Sequence, residues 1–196
     1  MNDWQIWFTT GIEHILDLNG YDHMLFVGLL VFTYPVSEWK KLIWLITAFT
    51  FGHSLTLALS VTNIIKVPQQ YTEVLIILTI IFTAIYLLFT SKNTAKGGSV
   101  IYLIICCFGL IHGLGFSYLL KAMLGTNESI FTPLLMFNLG LEVGQIVVVI
   151  LMVLVLLLIG KFAKTIEWHF KVVTISVILV VALILCYLRV LNIIHQ

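Results

Sequence analysis

The feature that most constrains this sequence is a series of long apolar runs separated by short polar segments. Five runs are long enough to cross a hydrocarbon core, which takes about 20 apolar residues in a helix; they cover residues 42–61, 74–90, 100–120, 132–159 and 172–194. Of the 196 residues, 61% are hydrophobic and only 10% are charged, whereas a soluble domain has about 25% charged residues. These properties exclude a soluble globule and predict an all-α, polytopic membrane helix bundle.

The N-terminal part of the chain predicts a further, irregular span. The apolar run 23–35 is too short to cross a bilayer alone, and the preceding segment 4–18 is amphipathic and carries Trp4, Trp7 and Phe8. Such a segment lies in the membrane interface or folds into the protein beside the short helix. We therefore expect a single integral membrane domain with about six spans, the first short or re-entrant. The expected spans are residues 20–36, 41–61, 73–90, 100–120, 131–159 and 171–193.

The lysines and arginines between the runs predict the orientation in the membrane. Seven lie in the connections after the first, third and fifth spans, and three lie on the other side. Because Lys and Arg accumulate in cytoplasmic loops, we expect both termini outside, in a bacterial-type cytoplasmic (inner) membrane. The net charge of +1 contains no basic excess that would indicate nucleic acid as a partner. The expected partners are the lipid bilayer and a metal ion, and a homo-oligomer is compatible with the sequence.

Several ionisable side chains lie inside the apolar runs, where an unpaired charge costs about 2.5–3.5 kcal/mol on insertion scales. In the predicted orientation, His53, His112 and Glu142 all lie about 12–15 Å below the outer surface, at about 1.5 Å of rise per residue. Asp22 and His23 enter the membrane from the same side. Independent accidents would scatter such groups over all depths, so we expect them to form one site.

The residue types in this layer indicate a divalent transition metal. Three imidazoles with one or two carboxylates form a common ligand set for Zn, Ni or Co. Each residue also has an ordinary structural use, because a buried His or Glu can hydrogen-bond between helices and Asp22 can cap a helix. Polar neighbours can orient imidazoles by accepting the second ring N–H. The candidates for this supporting role are Thr50, Ser54, Asn138 and Gln145.

Four motifs in this order resemble a known family. They are Glu13-His14 followed by Gly20-Tyr21-Asp22-His23, the block TAFTFGHSLTL at 47–57, the block FGLIHGLGF at 108–116, and the block FNLGLEVGQ at 137–145. The pattern is similar to that of the HupE/UreJ family, which is associated with hydrogenase and urease clusters and is regarded as a family of nickel or cobalt permeases. Seven residues separate the first His from the Asp-His pair, where the family usually has five. The resemblance implies metal transport, with ligands at His14, Asp22, His23, His53, His112 and Glu142.

Two other functions stay open at this point. Three His with one open position also hold catalytic zinc, so an intramembrane metal-dependent hydrolase acting on a lipid, lipoprotein or membrane peptide is an alternative. In that enzyme Glu142 or Asp22 would be the general base, and Ser54 or Asn138 would polarise a carbonyl. A redox subunit in which His53 and His112 ligate one haem is the third hypothesis. A continuous polar path to the inner side would favour the permease, but the sequence shows no second polar ring in the inner half.

Overall fold

The computed structural model describes residues 3–17, 20–34, 36–90, 99–124, 129–162 and 167–195, and among them it has α-helices and no strand. The prediction of an all-α bundle is confirmed. A short 3-10 turn, Val36–Glu38, connects the second and third helices. The α-helices are α1 (Asp3–Leu16), α2 (Tyr21–Thr33), α3 (Trp39–Val61), α4 (Gln69–Thr90), α5 (Ser99–Met123), α6 (Phe131–Phe162) and α7 (Glu167–Ile194).

Five helices, α3 to α7, are long and apolar enough to cross a membrane. In the same order, the crossing segments are Trp39–Val61, Gln69–Phe89, Val100–Met123, Phe131–Leu158 and Phe170–Ile194. The helices α1 and α2 meet the same criterion only as a pair, bent by 70° at the break between them. The predicted irregular first span thus corresponds to a helix pair.

The contacts of this pair show that it runs from one end of the bundle to the other. Phe8 of α1 lies against Gly140 and Ile15 lies against Gly144, so α1 runs parallel with α6 and begins at the same end. The carbonyl oxygen of Thr33, at the end of α2, accepts a hydrogen bond over 2.6 Å from the ammonium of Lys171, near the start of α7. We call the end of the bundle where α1 begins and α7 ends the terminal face. The position of the terminal face outside the cell stays a prediction.

The helix α1 packs inside the protein, which is one of the two placements that the sequence left open for this segment. A Cβ added at Gly11 would collide with the carbonyl oxygen of Phe137, and one added at Gly140 would collide with that of Phe8. Helix backbones approach this closely only where small residues face each other. The glycines of α1 and α6 therefore hold the N-terminal helix within the bundle.

Glycines also bring α3 and α5 into close contact, and these two helices run in the same direction. We call this contact the α3–α5 seam. A Cβ at Gly109 would collide with the carbonyl oxygen of Phe49, and one at Gly113 would collide with that of His53. The seam places His53 and His112 on adjoining helix surfaces with almost no space between the two backbones. The packing of small residues therefore determines how far apart these two imidazoles lie.

Candidate metal centre

Four histidines from four helices come together in the half of the bundle nearer to the terminal face. The ring of His23 lies 4.7 Å from that of His14 and 4.9 Å from that of His112, measured between centroids. The ring of His53 lies 6.2 Å from that of His14. His23, His53 and His112 are buried, with relative exposures of 4%, 0% and 2%. Residues separated by up to about 100 positions in the chain thus form one imidazole cluster, to which we refer as the histidine cluster.

Most ring nitrogens of the histidine cluster have no hydrogen-bond partner among the residues that the structure describes. This is true of both nitrogens of His53 and His112, and of Nε2 in His14 and His23. Buried polar atoms are normally paired, since an unpaired one costs about 1–3 kcal/mol. Such a concentration of unpaired imidazole nitrogens in an apolar bundle is typical of a site that receives a ligand.

The geometry of three of these imidazoles fits a divalent transition ion. His14, His23 and His53 each offer one ligand atom, and these atoms all lie within 4.8 Å of one another. Nitrogens bound tetrahedrally at about 2.0–2.1 Å from an ion lie roughly 3.3 Å apart. Small side-chain rotations would therefore bring the three nitrogens into range of one ion. His112 lies beside this group, against His23.

Asp22 is the hydrogen-bond partner of His23. Its Oδ1 lies 3.1 Å from Nδ1 of the His23 ring and also accepts a hydrogen bond over 2.9 Å from the His23 backbone N–H. Because a carboxylate accepts, the ring proton resides on Nδ1 and the lone pair of Nε2 is left for a metal. The structure thus places Asp22, which was expected to be a ligand, in a hydrogen bond with the ring of another expected ligand, His23.

Glu142 contacts α3 and is not among the described residues whose ligand atoms converge. Its Oε1 accepts a hydrogen bond over 2.7 Å from the hydroxyl of Thr47, and Oε1 of Gln145 accepts one over 3.1 Å from the hydroxyl of Thr50. Thr50 and Thr47 precede His53 by three and six residues, so the two pairs follow the cluster toward the face opposite the terminal face. We call these two hydrogen-bonded pairs the polar seam.

The two remaining candidates for a supporting role differ in their position. The amide of Asn138 donates to the carbonyl oxygen of Leu134 over 2.7 Å, and the side chain lies within hydrogen-bonding reach of the His53 ring. Its buried Oδ1 is without a hydrogen-bond partner in the described part of the chain, which leaves it able to accept an imidazole N–H. The hydroxyl of Ser54 instead donates to the carbonyl oxygen of Thr50 over 2.7 Å.

Phenylalanines surround the histidine cluster, and the sequence reasoning did not include them. The ring of Phe116 lies 4.1 Å from that of His14 and stacks on Phe137 at 4.5 Å, while Phe49 contacts His112 at 5.2 Å. These three phenylalanines are buried, so they shield the imidazoles from lipid and water. A signal was present in the sequence, because Phe49 precedes His53 by four residues, the spacing at which side chains share a helix face.

A family model described as HupE / UreJ protein matches residues 1–191. The chain belongs to the HupE/UreJ family. The predicted resemblance is therefore confirmed, and the match covers all four histidines of the cluster and both pairs of the polar seam. HupE/UreJ is a membrane family related to nickel and cobalt. Neither the curated proteins nor the solved structures contain a match to this HupE/UreJ chain.

Proposed function

We propose that the protein is a nickel- or cobalt-type permease that carries a divalent transition-metal ion across the membrane. The observation that carries this proposal is the convergence of ligand atoms of His14, His23 and His53 within 4.8 Å inside an apolar bundle. The relation of the HupE/UreJ family to nickel and cobalt supports the same class of ion. Zinc is the third candidate cargo, because it also binds imidazole nitrogens.

In the proposed mechanism the ion exchanges hydration water for imidazole nitrogens. His23 presents Nε2 because Asp22 holds its other nitrogen, and His14 and His53 supply further nitrogens from two other helices. A permease must also release its cargo. The ring nitrogens lie within 4.8 Å of one another, whereas a closed tetrahedral site brings them to roughly 3.3 Å, so binding requires side-chain rotations, and the reverse rotations would release the ion.

The broken first span supports transport because it places ligands on both sides of a break. His14 lies in α1 and His23 lies in α2, and the two helices are bent by 70° relative to each other. Discontinuous helices with the binding site at the break are typical of secondary transporters. A change in this angle would move His14 away from His23 and thereby open the site.

The polar seam supports transport because it extends the site toward the opposite face. Thr47, Thr50 and His53 are spaced three residues apart, so they share one face of α3. The oxygens of Glu142 and Gln145 stand beside the two threonines and can replace water around a partly dehydrated cation. We propose that the ion passes along the polar seam after it leaves the histidine cluster, from the predicted outer side inward.

The hydrolase alternative requires a carboxylate that is free to act as a general base beside the ion. In this structure Asp22 is hydrogen-bonded to His23, and Glu142 is hydrogen-bonded to Thr47. The hydroxyl of Ser54, which would polarise the substrate carbonyl in such an enzyme, instead donates a hydrogen bond to a carbonyl oxygen of its own helix. These contacts favour the permease over the enzyme, and the haem hypothesis has no observation in its favour.

Metal analysis combined with flux tests the proposal. We expect protein purified in lipid nanodiscs to bind about one Ni²⁺, Co²⁺ or Zn²⁺ ion per chain, and proteoliposomes to take up the same ion. His53→Ala should lose both the bound ion and the flux, whereas His195→Ala, a substitution at an exposed position near the C-terminus, should retain both. A bound ion without any flux in wild-type protein, or undiminished flux in His53→Ala, would overturn the permease.

A further inference from the structure

A narrow crevice between α2, α4 and α7 leads from the terminal face to Asp22. It has a volume of about 60 Å³, and its walls include Tyr21, Asp22, Glu73, Ile76, Ile77 and Arg189. This is room for a few water molecules. Because Asp22 is bonded to His23, the inner end of the crevice adjoins the histidine cluster.

An ion pair bridges the crevice on the side of the terminal face. The guanidinium of Arg189 on α7 is bonded to one carboxylate oxygen of Glu73 on α4. The other oxygen of Glu73 accepts a hydrogen bond over 2.9 Å from the Gln69 side chain. The side chains of Arg189 and Glu73 are 37% and 29% exposed, so neither partner is buried inside the protein. A pair in this position ties two helices together across the opening and can separate without unfolding either helix.

Asp22 is accessible from the crevice and in contact with the cluster at the same time. Its side chain is 23% exposed, whereas the His23 side chain bonded to it is only 5% exposed. A hydrated cation that reaches the Asp22 carboxylate therefore stands next to the first buried imidazole. With Asp22, Glu73 and Arg189 all ionised, the crevice carries two negative charges and one positive charge, which attracts a cation.

We infer that this crevice is the passage by which metal ions reach the histidine cluster, and that the Glu73–Arg189 pair is its gate. The inference rests on the proposed transport function. An arriving divalent cation competes with the Arg189 guanidinium for the Glu73 carboxylate. Once the guanidinium is displaced, Glu73 and Asp22 face the ion together and hand it on to His23.

The rate at which the metal associates with the protein tests the gate independently of flux. Co²⁺ would be mixed rapidly with protein in nanodiscs, and its binding followed by the visible absorption of the ligated ion. Arg189→Gln removes the positive charge and should raise the association rate about three- to tenfold. Glu73→Gln leaves Arg189 uncompensated beside Asp22 and should lower the rate by a similar factor. The amount of Co²⁺ bound at equilibrium should stay as in wild-type protein.

Two further variants separate a gate from a structural ion pair. The double variant Glu73→Arg with Arg189→Glu restores the pair and the net charge, and should bring the rate back to within about twofold of wild type. Lys121→Gln is the matched control, because Lys121 is a cation outside the crevice that donates to Asn63 over 3.1 Å, and its rate should be unchanged. The rate differences should shrink at high ionic strength because salt screens exposed charges.

The outcomes distinguish this inference from the proposed function. Wild-type association rates in Arg189→Gln and Glu73→Gln, with normal Co²⁺ content, would overturn the gate and leave the permease intact. The gate would also be overturned if the single variants lost bound Co²⁺ and the double variant regained it. The ion pair would then act by stabilising the fold. Wild-type protein that binds no Co²⁺, Ni²⁺ or Zn²⁺ would overturn the proposed function and the gate with it.

Discussion

The backbone carbonyl oxygen of His53 lies directly against Gly113, with no room for a Cβ between the two helices. Gly113 is also the residue after His112. The contact therefore sets the distance between two members of the histidine cluster through the backbone, before any side-chain rotamer is considered. We therefore expect metal binding to depend on Gly113, although glycine has no side chain that could bind a metal.

Gly113→Ala should weaken metal binding by forcing α3 and α5 apart. Overpacking of this kind costs about 1–3 kcal/mol, so we expect a lower melting temperature and at least about tenfold weaker binding of Ni²⁺ or Co²⁺. Gly28→Ala is the control, because the nearest atoms to its added Cβ, in Ile178 and Phe32, lie at an ordinary 3.7 Å. Thermal unfolding and metal titration of both variants would check this. Equal behaviour of the two variants would contradict the role of the α3–α5 seam.

Asp22→Asn should reduce the affinity for the metal about 10- to 100-fold, the range found for partners that orient a ligating imidazole. The amide still accepts from the His23 Nδ1–H but carries no charge that would strengthen Nε2 as a ligand. Asp3→Asn, at an exposed position in the first turn of α1, should bind as wild type. Unchanged affinity in Asp22→Asn would show that the Asp22–His23 hydrogen bond has no part in binding.

Glu142→Gln should separate binding from transport. The histidine cluster stays intact, so the bound metal should remain within about twofold of the wild-type amount, whereas uptake into proteoliposomes should fall about tenfold or more as the polar seam loses its only carboxylate. Both quantities are measured on the same preparation. If Glu142→Gln instead loses its bound metal, Glu142 is a ligand, as the family resemblance implies, and not a residue of the exit path.

Removal of the metal should destabilise the protein because buried imidazole nitrogens lose their ligand. Binding to the folded state alone adds about 2.7 kcal/mol at a free-ion concentration of 100 times the dissociation constant. We therefore expect a chelator to lower the melting temperature and added Ni²⁺, Co²⁺ or Zn²⁺ to raise it again. In His23→Ala the shift should vanish. A melting temperature that is indifferent to metal in wild-type protein would argue against the histidine cluster as a metal site.

Apolar runs and intramembrane ionisable residues allowed much of this protein to be predicted from local pattern. Hydropathy is a property of each segment, so the runs predicted the five helices that are long and apolar enough to cross a membrane. The four motifs predicted the family, which the match over residues 1–191 confirms. The common depth of His53 and His112 followed from counting residues along two helices that run in the same direction. Each of these results depends on distances along the chain.

Contacts between helices could not be predicted in the same way, because they depend on how each helix is rotated about its axis and where small residues permit close approach. Thr47 and Glu142 are 95 residues apart, and no spacing rule pairs them, so the polar seam was not predicted. Likewise the sequence left α1 either in the interface or in the protein, and the Gly11–Phe137 contact decided for the interior.

The sequence alone thus determined that this chain is a membrane bundle with costly polar groups inside its apolar runs, because bilayer thickness and helical rise act on every segment separately. Only the tertiary structure decided which of those groups converge. His14 joins His23 and His53 because α1 is held against α6, whereas Glu142 turns to Thr47 on the neighbouring helix. Packing makes this difference, because it brings together residues that are far apart in the sequence.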